Sequence, residues 1–189
     1  MANPKPNQGA AQPPPDEPPN PQTTTTHTPT PGLKQLLPPA TIEPSPEQPG
    51  KFFFYGSLMD PDVLYAITRS SAEPVLHKAT IRGHKMKKWG SYPALIPGGA
   101  GDVVDGVYWE AEDAGQSALL QHYETNMYRP VACTIRVEKG DGGVVVEDGL
   151  VFVWAGNAGS EELEEGGFSL EEYRLHHKPY MFVPKPWEL

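Results

Sequence analysis

Apolar side chains run without interruption through Phe52-Phe53-Phe54-Tyr55 and then stop at Gly56-Ser57. A short apolar run with no alternation predicts a strand buried on both faces, here Lys51–Tyr55. Asp60-Pro61 follows at once: the aspartate is a good cap, and a proline at the first helical position gives up an N–H that has no partner anyway. Val63, Leu64 and Ile67 then recur at helical spacing, predicting a short helix that ends near Ser70-Ser71. A strand that turns through small residues into a helix start leaves backbone N–H groups aimed at open space, where they can hold an anion.

Further along, Pro74–Ile81 and His84–Trp89 read as strands joined at Arg82-Gly83, and Tyr92–Pro97 reads as extended chain before the turn Gly98–Gly101. Val103–Trp109 is a strand interrupted by Gly106. Asp113 caps a second helix with Gln116, Leu119, Leu120 and Tyr123 on one side. Tyr128–Val137 and Val144–Trp154 form two long strands around the turn-rich 139–143, with a bulge or break expected at Asp148-Gly149. A last helix is expected from Ser169 to His177, with Leu170, Tyr173 and Leu175 or His177 turned inward. Many non-local strands with a few helices between them predict an α+β domain built on a small mixed β-barrel.

Composition divides the chain. Residues 1–50 hold most of the 23 prolines, a Thr23–Thr26 run and no Phe, Trp or Tyr. Such a segment cannot bury enough apolar surface to offset its ordering entropy, so 1–50 is expected to be a disordered extension and 51–189 the single domain. A role for 1–50 as a Pro-rich docking peptide is the alternative. The net charge of −9 argues against nucleic acid as a partner. The basic cluster from Arg82 to Lys88 alternates and reads as the solvated face of a strand. No apolar stretch reaches the length of a membrane span and no secretory pattern opens the chain, so a cytoplasmic monomer is expected. Cys133 is the single cysteine and sits in an apolar strand, where a packing thiol is expected.

Glu124 stands out among the acidic residues. It closes the second helix, where the helix dipole disfavours another negative charge, and Tyr123 and Tyr128 limit its solvation. Both effects raise its proton affinity toward the range useful to a general base. Ser57 lacks a Gly-x-Ser-x-Gly elbow and an assigned histidine, so a covalent role is not expected of it. His176 and His177 are adjacent and diverge on a helix; no metal-ligand spacing or phosphate loop occurs elsewhere, and neither metal nor cofactor is expected.

Four motifs, in order, carry a resemblance: Tyr55-Gly56-Ser57-Leu58 after the apolar strand, Tyr92-Pro93-Ala94-Leu95-Ile96, Val104-Asp105-Gly106-Val107-Tyr108, and Leu120–Glu124 with Tyr128-Arg129. From Phe52 to Trp154 the chain resembles the gamma-glutamylcyclotransferase-like family, in particular its plant avirulence-induced-gene-like and gamma-glutamylamine cyclotransferase branch. The resemblance implies a mixed β-barrel flanked by helices, with a cavity at the end of the first strand. It implies that the loop Tyr55, Gly56, Ser57, Leu58, Met59 and Asp60 binds the α-carboxylate and amine side of a small γ-glutamyl substrate, that Glu124 is the catalytic base and acid, and that Tyr128 is the family's following tyrosine at the pocket, where it either packs or orients Glu124 through its hydroxyl; Tyr92, before Pro93, is a further candidate for the pocket wall. It also implies 5-oxoproline release with no cofactor. Two positions depart from the family pattern: Gln121 stands where an aspartate is frequent, and Thr125 where a glycine is frequent. Tyr123 precedes Glu124 where the glutathione-specific branch presents arginine. A binding module that keeps the pocket without turnover is the alternative function.

Overall fold

The computed structural model describes residues 49–181. The extension expected to be disordered therefore lies, apart from its last two positions, outside the described residues.

Five strands close into a barrel in the order β1 (Lys51–Phe54), β5 (Val103–Glu110), β2 (His77–Arg82), β6 (Tyr128–Glu138), β7 (Val144–Trp154). All neighbours are antiparallel except β1 and β7, whose parallel pairing closes the ring at Phe52↔Leu150 and Phe53↔Val151. A second sheet runs β4 (Tyr92–Pro97), β3 (His84–Trp89), β8 (Leu163–Glu165). The helices are α1 (Pro61–Thr68), α2 (Ala114–Glu124), α3 (Leu170–His176) and the single turn α4 (Lys178–Met181).

The uninterrupted aromatic run of β1 has a direct cause. Phe53 points into the barrel with Ala79, Ile81, Val104, Ile135, Val137, Val151 and Val153. Phe52 and Phe54 point out, stacked on each other, with Phe152 stacked on Phe52 and Trp109 tilted against both, and are covered by Val63 and Leu64 of α1, Leu120 of α2 and Tyr173 of α3. The strand is thus the wall between two cores, and each phenylalanine is at most 3 % exposed.

Four expectations are corrected. Gly106 does not interrupt β5, and Asp148-Gly149 neither bulges nor breaks β7, which pairs residue for residue with β6 from Val144 to Trp154. Both glycines face the barrel interior. A Cβ on Gly106 would lie 2.2 Å from the Phe54 carbonyl oxygen, and one on Gly149 would lie 2.6 Å from Ile135 Cδ1. They are space-makers in a narrow barrel rather than turn residues. Leu175, at 68 % exposure, and His177 are both exposed, while Tyr173 is buried as expected. The strand expected from Pro74 begins at His77, and β8, α4 and the 3₁₀ turn Ser57–Met59 had no signal in the apolar pattern. No helix among the described residues is long and apolar enough to cross a membrane.

Candidate active site

The inward stripe of α2 sets the position of the carboxylate. Asp113 caps the helix through the Gln116 amide at 2.9 Å, and Gln116 Oε1 accepts the Glu112 amide at 2.7 Å. Gln116 and Leu120 are buried one turn apart, and the next residue on that stripe is Glu124. The packing that places Leu120 in the core brings Glu124 to the cavity beside it.

That cavity, of about 250 Å³, opens where β1 ends. Tyr55, Gly56, Ser57 and Leu58 form one wall, Glu124 and Tyr123 another, and Trp89, Tyr92, Pro93, Met127 and Tyr128 the rest. The turn after β1 is closed by Met59 N–H donating to Gly56 O at 2.9 Å and Asp60 N–H donating to Ser57 O at 3.0 Å. The amides of Ser57 and Leu58 open this 3₁₀ turn and have no acceptor within it. The loop and Glu124 therefore share one cavity.

Glu124 is half-buried in the cavity wall, with its carboxylate closely surrounded by protein. Burial pushes its carboxyl up to about 7. No side chain or amide among the described residues donates to it. The nearby hydroxyls are committed elsewhere: Tyr55 OH donates to Phe152 O at 2.7 Å, Tyr128 OH donates to Pro93 O at 3.0 Å, and Tyr123 OH is bonded to Ser57 Oγ at 2.9 Å. Burial and the Glu124 charge hold all three phenols well above their usual range, so they remain protonated. Glu124 is then the titrating group of the cavity, with open valence for a ligand's proton.

Not every residue expected at the site lines the cavity. Tyr55, Gly56, Ser57, Leu58, Tyr92, Tyr128 and Glu124 do; Met59 and Asp60 do not. Met59 packs against the outer core, and Asp60 is fully buried beneath the turn. The Tyr128 hydroxyl holds the backbone of β4 rather than Glu124. Gln121 is exposed and Arg129 is exposed. Cys133 packs against the barrel core, and burial pushes its thiol up to about 12. Sequence reasoning missed Trp89 and Met127 as cavity walls, while Thr125, singled out as a departure from the family pattern, is a further wall. A signal existed for Trp89: it pairs with Tyr92 across the Gly90-Ser91 turn, so both aromatics fall on one face at the hairpin tip. Among the described residues no group of three or more His, Cys, Asp or Glu is placed to hold a metal ion.

Thr125 ends α2 with φ 58° and ψ −162°, a region that only glycine occupies comfortably. For a β-branched residue this costs about 1–3 kcal/mol. The side chain offsets part of it, since Thr125 Oγ1 accepts the Met127 amide at 3.2 Å. Thr125→Gly is expected to hold or raise the melting temperature, the reverse of glycine's usual effect; calorimetry that finds a drop of several degrees would show that the hydroxyl outweighs the strain.

Residues 52–180 match the family described as Gamma-glutamyl cyclotransferase, AIG2-like. Two solution structures from Arabidopsis thaliana share the fold. At5g39720.1 is 23 % identical, with 70 % of this chain and 85 % of that chain covered at a TM-score of 0.51. At3g28950.1 is 22 % identical, with 70 % and 76 % covered at a TM-score of 0.52. No curated protein matches the chain.

Proposed function

The chain belongs to the gamma-glutamyl cyclotransferase, AIG2-like family, and we propose that it releases 5-oxoproline and a free amine from a γ-glutamyl amine. The reading is supported by one observation: a half-buried carboxylate with no hydrogen-bond partner among the described residues shares a cavity with the turn after β1.

The Ser57 and Leu58 amides and the Ser57 hydroxyl take the substrate's α-carboxylate. The α-amine, after losing one proton to solvent, lies folded back toward the γ-carbonyl. It attacks that carbon, closing a five-membered lactam. Glu124 takes the second amine proton as the new C–N bond forms and returns it to the departing nitrogen as the old C–N bond breaks. The carboxylate ends as it began, and no redox step occurs. Because both reacting groups belong to one molecule, holding the folded shape supplies much of the acceleration.

The leaving group faces Trp89, Tyr92, Met127 and Tyr128, and among the described residues no Lys, Arg or His lines the cavity. A leaving group with its own carboxylate would meet an aromatic wall and the Glu124 charge with nothing to neutralise it, so an amine is favoured over an amino acid. Incubation with a matched panel, scored by 5-oxoproline, tests this. Release from a γ-glutamyl alkylamine is expected to exceed release from the γ-glutamyl amino acid of the same chain length by about tenfold in kcat/KM, a difference of about 1.4 kcal/mol. Thermal stabilisation by every compound without product would instead identify a binding module.

A further inference from the structure

Asp60 is the buried acid that the mechanism above leaves unused. Its side chain is fully buried, yet it lies directly under the turn that presents the Ser57 and Leu58 amides. Asp60 Oδ1 accepts from the amides of Asp62 at 3.1 Å and Val63 at 3.2 Å, which is an ordinary helix cap. Beyond the cap, two cations from the C-terminal helices converge on the same carboxylate: Lys178 Nζ on Oδ1 at 2.7 Å and Arg174 Nε on Oδ2 at 2.6 Å. Capping does not require them. Asp113 caps α2 and Ser169 caps α3 with no cation bonded to either side chain among the described residues.

The two ion pairs tie α3 and α4 to the turn. Arg174 follows Tyr173, which is buried in the outer core and stacks on His177. Lys178 opens α4 and also reaches Asp62 at 2.6 Å. The Asp60 backbone completes the connection, since its N–H holds Ser57 O. A shift of Asp60 therefore moves the carbonyl next to the two amides that open the turn.

We propose that Asp60 is a positioning residue, and that Arg174 and Lys178 act through it as a strap fixing the substrate-holding turn. This rests on the cyclotransferase reading for its kinetic consequence, but the strap itself has a readout that needs no substrate. A carboxylate-holding turn contributes binding present in both ground and transition state, so loosening it raises KM and leaves kcat nearly unchanged.

The test uses the full chain with Arg174→Met, Lys178→Met and the double variant, with Arg174→Lys as the conservative control. Two measurements are made: hydrogen exchange of the Met59 and Asp60 amides, and steady-state 5-oxoproline release. In the double variant these two amides are expected to exchange about tenfold faster or more, while the paired amides of β6 and β7 keep their rates. KM is expected to rise about tenfold with kcat within about threefold of the parent, and Arg174→Lys to recover most of the change. Unchanged exchange at Met59 and Asp60 overturns the strap, whatever the activity. Faster exchange with unchanged KM overturns the positioning role. If the parent makes no 5-oxoproline from any substrate, the cyclotransferase reading fails, while the exchange result still decides the strap.

Discussion

Glu124→Gln is expected to lose 5-oxoproline release by about a hundredfold or more, and at pH 8 to melt several degrees higher than the parent. The two effects have one origin. Glutamine keeps the shape of the side chain but cannot carry a proton between the two nitrogens. It also cannot ionise, and ionisation is what the cavity penalises. The carboxyl titrates near 7 in the folded chain against 4.5 for an exposed glutamate, because burial disfavours the charged form. The sign follows. Below about pH 4.5 the carboxyl is protonated folded or unfolded, and it adds no penalty. From there to about pH 7 the unfolded chain gives up its proton while the folded one keeps it, so stability falls with rising pH. Above 7 the penalty is complete, at about 3 kcal/mol. The melting-temperature gap between Glu124→Gln and the parent should therefore be near zero at pH 4, open through pH 7 and stay constant above it. The parent's kcat/KM should rise through the same range as the base becomes ionised. A pH-independent gap would mean that the carboxylate finds a partner in solution, and release that survives the substitution would remove Glu124 from the chemistry.

How far this site could be read from the sequence depended on how local its causes are. Glu124 was legible because the helix end that it closes and the tyrosines that flank it are all in one short segment, although the stripe Gln116, Leu120, Glu124 that carries it to the cavity was not read. The turn after β1 was legible for the same reason: an apolar strand, a small-residue turn and an Asp-Pro helix start follow each other directly. Asp60 was read only halfway. Its role as a cap is local, and the structure bears it out, but its cations come from Arg174 and Lys178, more than a hundred positions away. No periodicity reports such a pairing. Met127 went unread for another reason: it reaches the cavity from a loop, where no apolar pattern gives a side chain a direction. Gly106 and Gly149 show the limit in the fold. Read locally, glycine in a strand means a bulge or a break; here it means that the opposite side of the barrel is close.

Gly106→Ala is expected to be the most damaging single methyl in the domain, lowering stability by more than about 3 kcal/mol in urea unfolding. Gly106 lies opposite Ala79 of β2 and beside the Phe54↔Val107 pair of β1 and β5. Its missing side chain leaves the space that the Phe53 ring fills: an added Cβ would stand 2.6 Å from Phe53 Cζ and 2.2 Å from Phe54 O. The ring could swing away, at the cost of a barrel core in which Phe53 is fully buried. The carbonyl cannot move alone, since it is part of the backbone of β1. Relief requires β1 to shift against β5, and β1 is the strand whose next residues, Tyr55 to Leu58, form a wall of the cavity. The substitution should therefore weaken substrate binding in whatever fraction still folds. Phe53→Leu in the same chain separates the two contacts: it removes the ring but not the carbonyl, so it should recover only a small part of the loss. Gly140→Ala, in a turn where an added Cβ meets nothing within 4 Å, should change stability by less than about 0.5 kcal/mol. If Gly106→Ala unfolds at the same urea midpoint as Gly140→Ala, the barrel is wider at this level than the contacts of β1 and β5 imply, and the glycine has some other reason to be there.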